Sequence, residues 1–194
     1  MAIKKTEKQL KSQQNKATIY TTALRLFSEY GYNTVTVDDI CEASHLSKGT
    51  FYYYFKAKED LVILAFFQEM DLYLEQYFNL DDHQPLLDQM ISLIQCMFDY
   101  ACSKGKEWTR QSYIGQIRTQ IELMIEDRAM VKILFHLIRR GKQEQAFRLD
   151  YQEKEFYTVI IGTFTGLLIK WCTDSEDKYD YAKFVSNQVR LLFR

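Results

Sequence analysis

The sequence is poor in the residues that punctuate a chain. Its 194 residues include one proline, Pro85, and seven glycines, too few for the many tight hairpins of an all-β sandwich or barrel. Its four cysteines, Cys41, Cys96, Cys102 and Cys172, form no CxxC pair, which argues against a disulfide framework and a zinc site and for buried reduced thiols. The opening from Met1 to Lys16 is Lys/Gln-rich and lacks an apolar core, so no secretory leader is expected. The longest uncharged stretch, Phe156 to Ile169, is fourteen residues, short of the roughly 18 of a transmembrane candidate. A soluble, cytoplasmic protein is expected. Net charge is also nearly absent, at −1, yet 47% of the residues are hydrophobic and 15% aromatic, the opposite of a disordered composition.

The small total hides an asymmetry. Residues 1–58 hold nine Lys/Arg against five Asp/Glu, a net of +4, whereas residues 59–194 hold 16 against 21, a net of −5. Such a division is expected when only one part of a chain meets a polyanion. Much of the excess lies in Lys4, Lys5, Lys8, Lys11 and Lys16.

What is present is helical periodicity. Ile19, Ala23, Phe27 and Tyr30 recur every three to four residues, predicting a helix from about Ser12 to Tyr30, with Gly31 placed to end it. Thr36 is a plausible N-cap for a second helix reaching about Ala43 or Ser44, with Asp38 and Asp39 in its first turn. After Ser44-His45-Leu46, Ser47 caps a third short helix through Phe55. Two short helices joined by such a turn make a helix-turn-helix, with Ile40, Leu46, Phe51 and Phe55 as its candidate core. Tyr52, Tyr53 and Tyr54 span about 200° of the third helix, so they cannot all be buried. Exposed tyrosine hydroxyls beside Lys48, Lys56 and Lys58 suit phosphate and base-edge contact, and Gly49 allows close backbone approach.

The run Ala23-Leu24-Arg25-Leu26-Phe27-Ser28-Glu29-Tyr30-Gly31-Tyr32, then Thr36-Val37-Asp38-Asp39-Ile40, then Leu46 to Leu61 closely resembles the DNA-binding segment of the TetR family of transcriptional regulators. The resemblance implies phosphate contacts from Thr36 and Ser47 at helix starts and places Lys48, Gly49 and Thr50 at the leading edge of a recognition helix. It gives Tyr52, Tyr53 and Tyr54 contacts to phosphate, bases or thymine methyls, and gives Lys58 a phosphate. One departure is Ser44-His45 where the family commonly has Ala-Gly; a left-handed His45 costs about 1–2 kcal/mol.

Beyond residue 58 the pattern predicts a fourth helix to about Phe78, Pro85 at the first position of a fifth helix running to about Cys102, and one short and one longer helix between Glu107 and Gly141. Their boundary falls near Glu122 to Asp127, and Arg139-Arg140-Gly141 reads as a helix stop. Phe147 reads as an apolar peg, and helices follow over Glu155 to Thr173 and Asp177 to Phe193. The expected architecture is all-α: an N-terminal three-helix helix-turn-helix DNA-binding domain, 1–58, and a larger helical ligand-binding and dimerisation domain, 59–194. In the latter, Phe156, Ile160, Phe164, Leu167 and Trp171 form one apolar stripe beside the small or short side chains of Val159, Gly162, Thr163 and Gly166. The resemblance implies that this helix joins two subunits through a four-helix bundle. Met97, Tyr100, Trp108, Tyr113, Gln116, Gln120, Met124, Phe135 and His136 mark a region to search for a small-molecule pocket.

No glycine-rich phosphate loop or framed nucleophile is present, and His45, His83 and His136 lie far apart. Cys96 and Cys102, i and i+6, fall about 240° apart on one helix, which disfavours a disulfide between them. No catalytic residue, metal or cofactor is therefore expected. The favoured function is a sequence-specific DNA-binding repressor, a homodimer released from a palindromic operator by a small-molecule effector. The alternative is a helical protein-interaction adaptor without ligand-controlled DNA binding.

Overall fold

The computed structural model describes residues 7–119, 128–147, 152–175 and 180–193. Among them regular structure is helical, apart from a single bridge pairing Phe147 with Phe193. The chain divides into two compact units, Met1–Ala65 with Gln111–Ile121, and Phe66–Arg110 with Glu122–Arg194.

The first unit begins with α1 (Glu7–Tyr30), one turn longer at its start than the periodicity predicts. Ile19, Ala23 and Phe27 are buried as expected, whereas Tyr30 is exposed. Gly31, at φ 83°, ends the helix, its N–H donating to the carbonyl of Phe27 at 3.0 Å. Next come α2 (Val37–Ser44) and α3 (Lys48–Tyr54), whose apolar faces meet through Ile40, Phe51 and Phe55 while Leu46 is half-buried. His45 adopts the left-handed conformation, φ 55° and ψ 33°. This lets its N–H reach the Glu42 carbonyl at 3.1 Å and turns the chain between the helices. Because the side chain gains no burial there, replacing His45 by glycine should stabilise the protein. The expected gain is about 0.5–1 kcal/mol, the strain relieved less the extra chain entropy of glycine, and thermal denaturation reads it as a higher Tm.

The first half of α4 (Lys58–Tyr77) closes this unit with the buried Leu61, Val62 and Ile63. The last turns of α6 (Lys106–Thr119) lie against it: a Cβ on Gly115 would stand 3.0 Å from Ile63 and 3.2 Å from Glu59, so glycine sets how closely these helices approach.

In the second unit α5 (Leu86–Lys104) packs on α7 (Ala129–Gln143), α8 (Glu153–Thr173) and α9 (Tyr181–Arg190). Pro85 is the residue before α5 rather than its first. Either place suits proline, since neither needs its missing N–H. Met90, Leu93, Met97, Leu134, Ile138, Phe156, Ile160 and Leu168 fill the core. Phe147 does serve as a peg, buried against Phe156 and Phe193. Gly141 does not stop α7, which continues to Gln143. Instead Phe147 and Leu86 occupy the space where a Cβ would sit, so glycine at 141 answers a packing demand. By length and composition α8 could cross a membrane once its charged flanks are included, but Phe156, Ile160, Phe164, Leu167, Leu168 and Trp171 are buried within this unit. A guanidinium braces it further. Arg128 Nε and Nη2 donate to the two carboxylate oxygens of Asp71 at 2.9 and 3.1 Å, and Met130 N–H donates to the same carboxylate at 3.1 Å, fixing the start of α7 to α4.

Candidate nucleic-acid interface

The helix-turn-helix is set by its caps. The Thr36 hydroxyl accepts from Asp39 N–H, and the Asp39 carboxylate returns the bond to Thr36 N–H at 2.8 Å and to its hydroxyl at 2.7 Å. This is a reciprocal capping box, and the Thr36 N–H and hydroxyl hold the Asp39 carboxyl below the usual range. Ser47 accepts from Thr50 N–H at 3.1 Å, and its hydroxyl lies 2.9 Å from that of Thr50. Both hydroxyls expected to meet phosphate are thus helix caps first, lying beside helix N-termini whose dipoles favour an anion.

On α3 the three tyrosines part ways. Tyr52 and Tyr53 are 55% and 77% exposed. Tyr54 is half-buried and donates its hydroxyl to Ser12 of α1 at 2.9 Å, so it ties the recognition helix to α1. Tyr53 leans edge-on against Tyr54, ring centroids 4.8 Å apart. Gly49 has an ordinary φ, and a built Cβ would make no more than an ordinary contact, 3.7 Å from Ser47 Oγ. Its lack of a side chain is therefore not demanded by the local fold.

The two lysines differ as well. Lys48 is exposed and pairs with Asp38 of α2, Nζ to Oδ1 2.7 Å, an interaction that raises the lysine's pKa. Lys58 is partly buried: it donates to the carbonyls of Tyr32 and Val35 at 2.8 and 2.9 Å and lies 4.2 Å above the Tyr32 ring. It therefore fastens the α1–α2 connection to the start of α4, an internal role that the resemblance did not indicate. Burial, and then the neighbouring Glu59 carboxylate, push the Tyr32 phenol up. Lys56 N–H donates to Asp60 at 2.7 Å and completes the turn into α4. Sequence reasoning missed Ser12 and Asp38, whose partners lie 42 and ten residues away, beyond any helical spacing.

The described residues marked for a ligand pocket fall in both units. Met97 and Tyr100 are buried in the second unit, where Tyr100 packs on Phe66 and Tyr73, and Trp108 belongs to that unit, whereas Tyr113 and Gln116 belong to the first. Gln120 and Met124 lie outside the described residues. Phe135 and His136 do meet, in a cleft of about 530 Å³ between α7 and the start of α8, lined also by Val131, Lys132, Arg139, Glu153 and Lys154. Phe135 stacks on Tyr157 there, and His136 lies 2.7 Å from Asp82.

The residues marked for dimerisation divide by face. Phe156, Ile160, Leu167 and Trp171 are buried in the core of the second unit. Gly162, Thr163 and Gly166 are exposed, Val159 is half-buried, and a Cβ at either glycine would meet nothing within 4 Å. The wider apolar stripe belongs to the core because large side chains fill it, while the row of small residues is left open.

Residues 19–65 match the family model described as bacterial regulatory proteins, tetR family. The HTH-type transcriptional regulator YuxN of Bacillus subtilis (strain 168) is 47% identical over 45 residues, 23% of this chain, and the match spans only 16% of that protein's length. The fatty acid metabolism regulator protein of the same organism is 22% identical over 178 residues, 90% of this chain and 91% of its own. In fold, the chain is similar to FadR from Bacillus subtilis, solved in complex with stearoyl-CoA, with a TM-score of 0.54 and 19% identity over 91% of this chain and 97% of that one. The matched segment contains both caps, the left-handed turn at His45 and the tyrosine-bearing third helix, so residues 19–65 are similar to the helix-turn-helix segment of the tetR family of bacterial regulatory proteins.

Proposed function

We propose that the protein is a homodimeric transcriptional repressor, held on a near-palindromic operator by residues 1–58 and released when residues 59–194 bind a small molecule. The observation that carries this reading is the pair of exposed tyrosines, Tyr52 and Tyr53, on a short helix whose cap and turn are those of a helix-turn-helix. Large aromatic side chains left in water at consecutive positions are poor for folding and well suited to a groove. Thr36, Ser47, Lys48 and Tyr52 position the module on phosphates, and Gly49, Thr50 and Tyr53 face the bases. Tyr54 and Lys58 act from behind, by fixing α3 against α1 and α4 against the α1–α2 connection.

Two copies meet through the open row on α8, Val159, Gly162, Thr163 and Gly166, where small residues allow two helices to approach closely. Each α3 then enters a major groove, with half-sites about 34–36 Å apart or a multiple of that spacing. The work is done in the cytoplasm, where the operator is.

The names of the relatives make a long-chain acyl-CoA the first effector to test. It would act by binding better to a conformer whose reading heads are wrongly spaced. The test begins by enriching duplexes from a random pool with the purified full-length protein, then titrating stearoyl-CoA into the complex. The reading expects a near-palindrome and a loss of affinity of about 5–150-fold on saturation. Failure to enrich any sequence would leave the adaptor reading in its place, and unchanged affinity would remove acyl-CoA as the effector.

A further inference from the structure

Adjacent carboxylates at the start of α2 have different occupations. Asp39 is spent on the capping box, bonding both the N–H and the hydroxyl of Thr36. Asp38 takes no part in the cap and reaches across the turn to Lys48, the first residue of α3, at 2.7 Å. The two side chains are 60% (Lys48) and 66% (Asp38) exposed, so burial does not force them together and both are open to an approaching ligand. Tyr52 lies one turn further along α3 and is exposed as well.

An unheld lysine is a point charge on a flexible stem that settles on any phosphate within reach. Binding of that kind adds affinity for every sequence alike. A lysine held by a carboxylate has one N–H committed and two left, pointing in a restricted set of directions. The carboxylate also places a negative charge where a misplaced phosphate would have to sit.

We propose that Asp38 is a positioning residue for DNA discrimination: by holding Lys48 across the helix-turn-helix, it withholds that cation from arbitrary phosphates and aims its remaining donors at the operator. The inference rests on the DNA-binding reading above, and it assigns to Asp38 a role in specificity rather than in affinity.

The experiment uses the full-length protein, a duplex enriched from a random pool and a scrambled duplex of equal composition, with binding constants measured at several salt concentrations. Asp38→Asn frees Lys48. It should bind the scrambled duplex roughly 3–10-fold more tightly near 0.1 M salt, with a slope of log K against log salt steeper by about 1.8, the value for two added phosphate contacts, one from each subunit of the dimer. The ratio of enriched to scrambled affinity should fall accordingly. Adding Lys48→Gln to Asp38→Asn should remove both the gain and the extra slope. A merely structural role would move affinity for both duplexes together and leave the slope alone. If the unaltered protein binds in a salt-dependent, sequence-preferring way but Asp38→Asn behaves like it, or if the gain persists in the double variant, this inference fails and the DNA-binding reading stands. If the unaltered protein binds neither duplex, both fall.

Discussion

Replacing Tyr53 by alanine is expected to weaken operator binding by a factor between about 30 and 10⁴ while leaving fold and dimerisation intact. The side chain is 77% exposed, and its packing is an edge contact with Tyr54, so its removal should change stability by no more than about 0.5 kcal/mol. A lost base contact costs about 1–3 kcal/mol. A dimer loses two of them, one per half-site, and each 1.4 kcal/mol is tenfold in affinity. Fluorescence anisotropy with the enriched duplex measures the loss, and sedimentation confirms the dimer. Tyr54→Phe is the informative companion. It deletes only the hydroxyl bonded to Ser12 and should act more weakly, through the placement of α3. Full affinity in Tyr53→Ala would show that the exposed face of α3 does not read DNA.

A second large effect is expected in the second unit. Asp71→Ala should destabilise the protein by about 3–5 kcal/mol, because it strands a guanidinium in a poorly solvated place. The Arg128 and Asp71 side chains are only 9% and 17% exposed, and the same carboxylate accepts from Met130 N–H at the start of α7. The charge, rather than the geometry alone, is what makes the single deletion costly. The paired replacement Asp71→Leu with Arg128→Met should therefore recover much of the loss, since an apolar pair of similar volume replaces a buried ion pair at little net cost. Urea denaturation at fixed protomer concentration, necessary when folding and dimerisation are linked, reads both variants. A loss below about 1 kcal/mol for Asp71→Ala would mean that water reaches the guanidinium and that α7 is held to α4 by other contacts.

How much of this was legible in the sequence depended on how local the physics is. Thr36 and Ser47 as caps, Gly31 as a helix end and the burial of Ile40, Phe51 and Phe55 follow from spacing and side-chain chemistry within a few residues. Even the left-handed His45 could be anticipated, because a turn that usually takes glycine there has one way to run. What stayed hidden was set by distant partners. Periodicity shows that α8 has an apolar stripe but not what covers it, so it does not separate the core-facing Phe156, Ile160, Leu167 and Trp171 from the open Gly162 and Gly166. Gly141 reads as a stop until Phe147 and Leu86 are seen in the space a side chain would need. The commitments of Lys58 to two carbonyls and of Tyr54 to Ser12 likewise need the folded chain. The ligand region was least legible: a list of polar and aromatic residues on successive helices carries no information about which of them converge.

The most direct test of the account is the salt dependence of binding to the enriched duplex. A dimer seated on two half-sites through caps and lysines should contact about six phosphates or more, so log K should fall linearly with log salt at a slope of about −5 or steeper. It should also prefer the enriched over the scrambled duplex by about 10³ or more. Binding that ignores both salt and sequence would contradict the central claim that residues 1–58 read DNA.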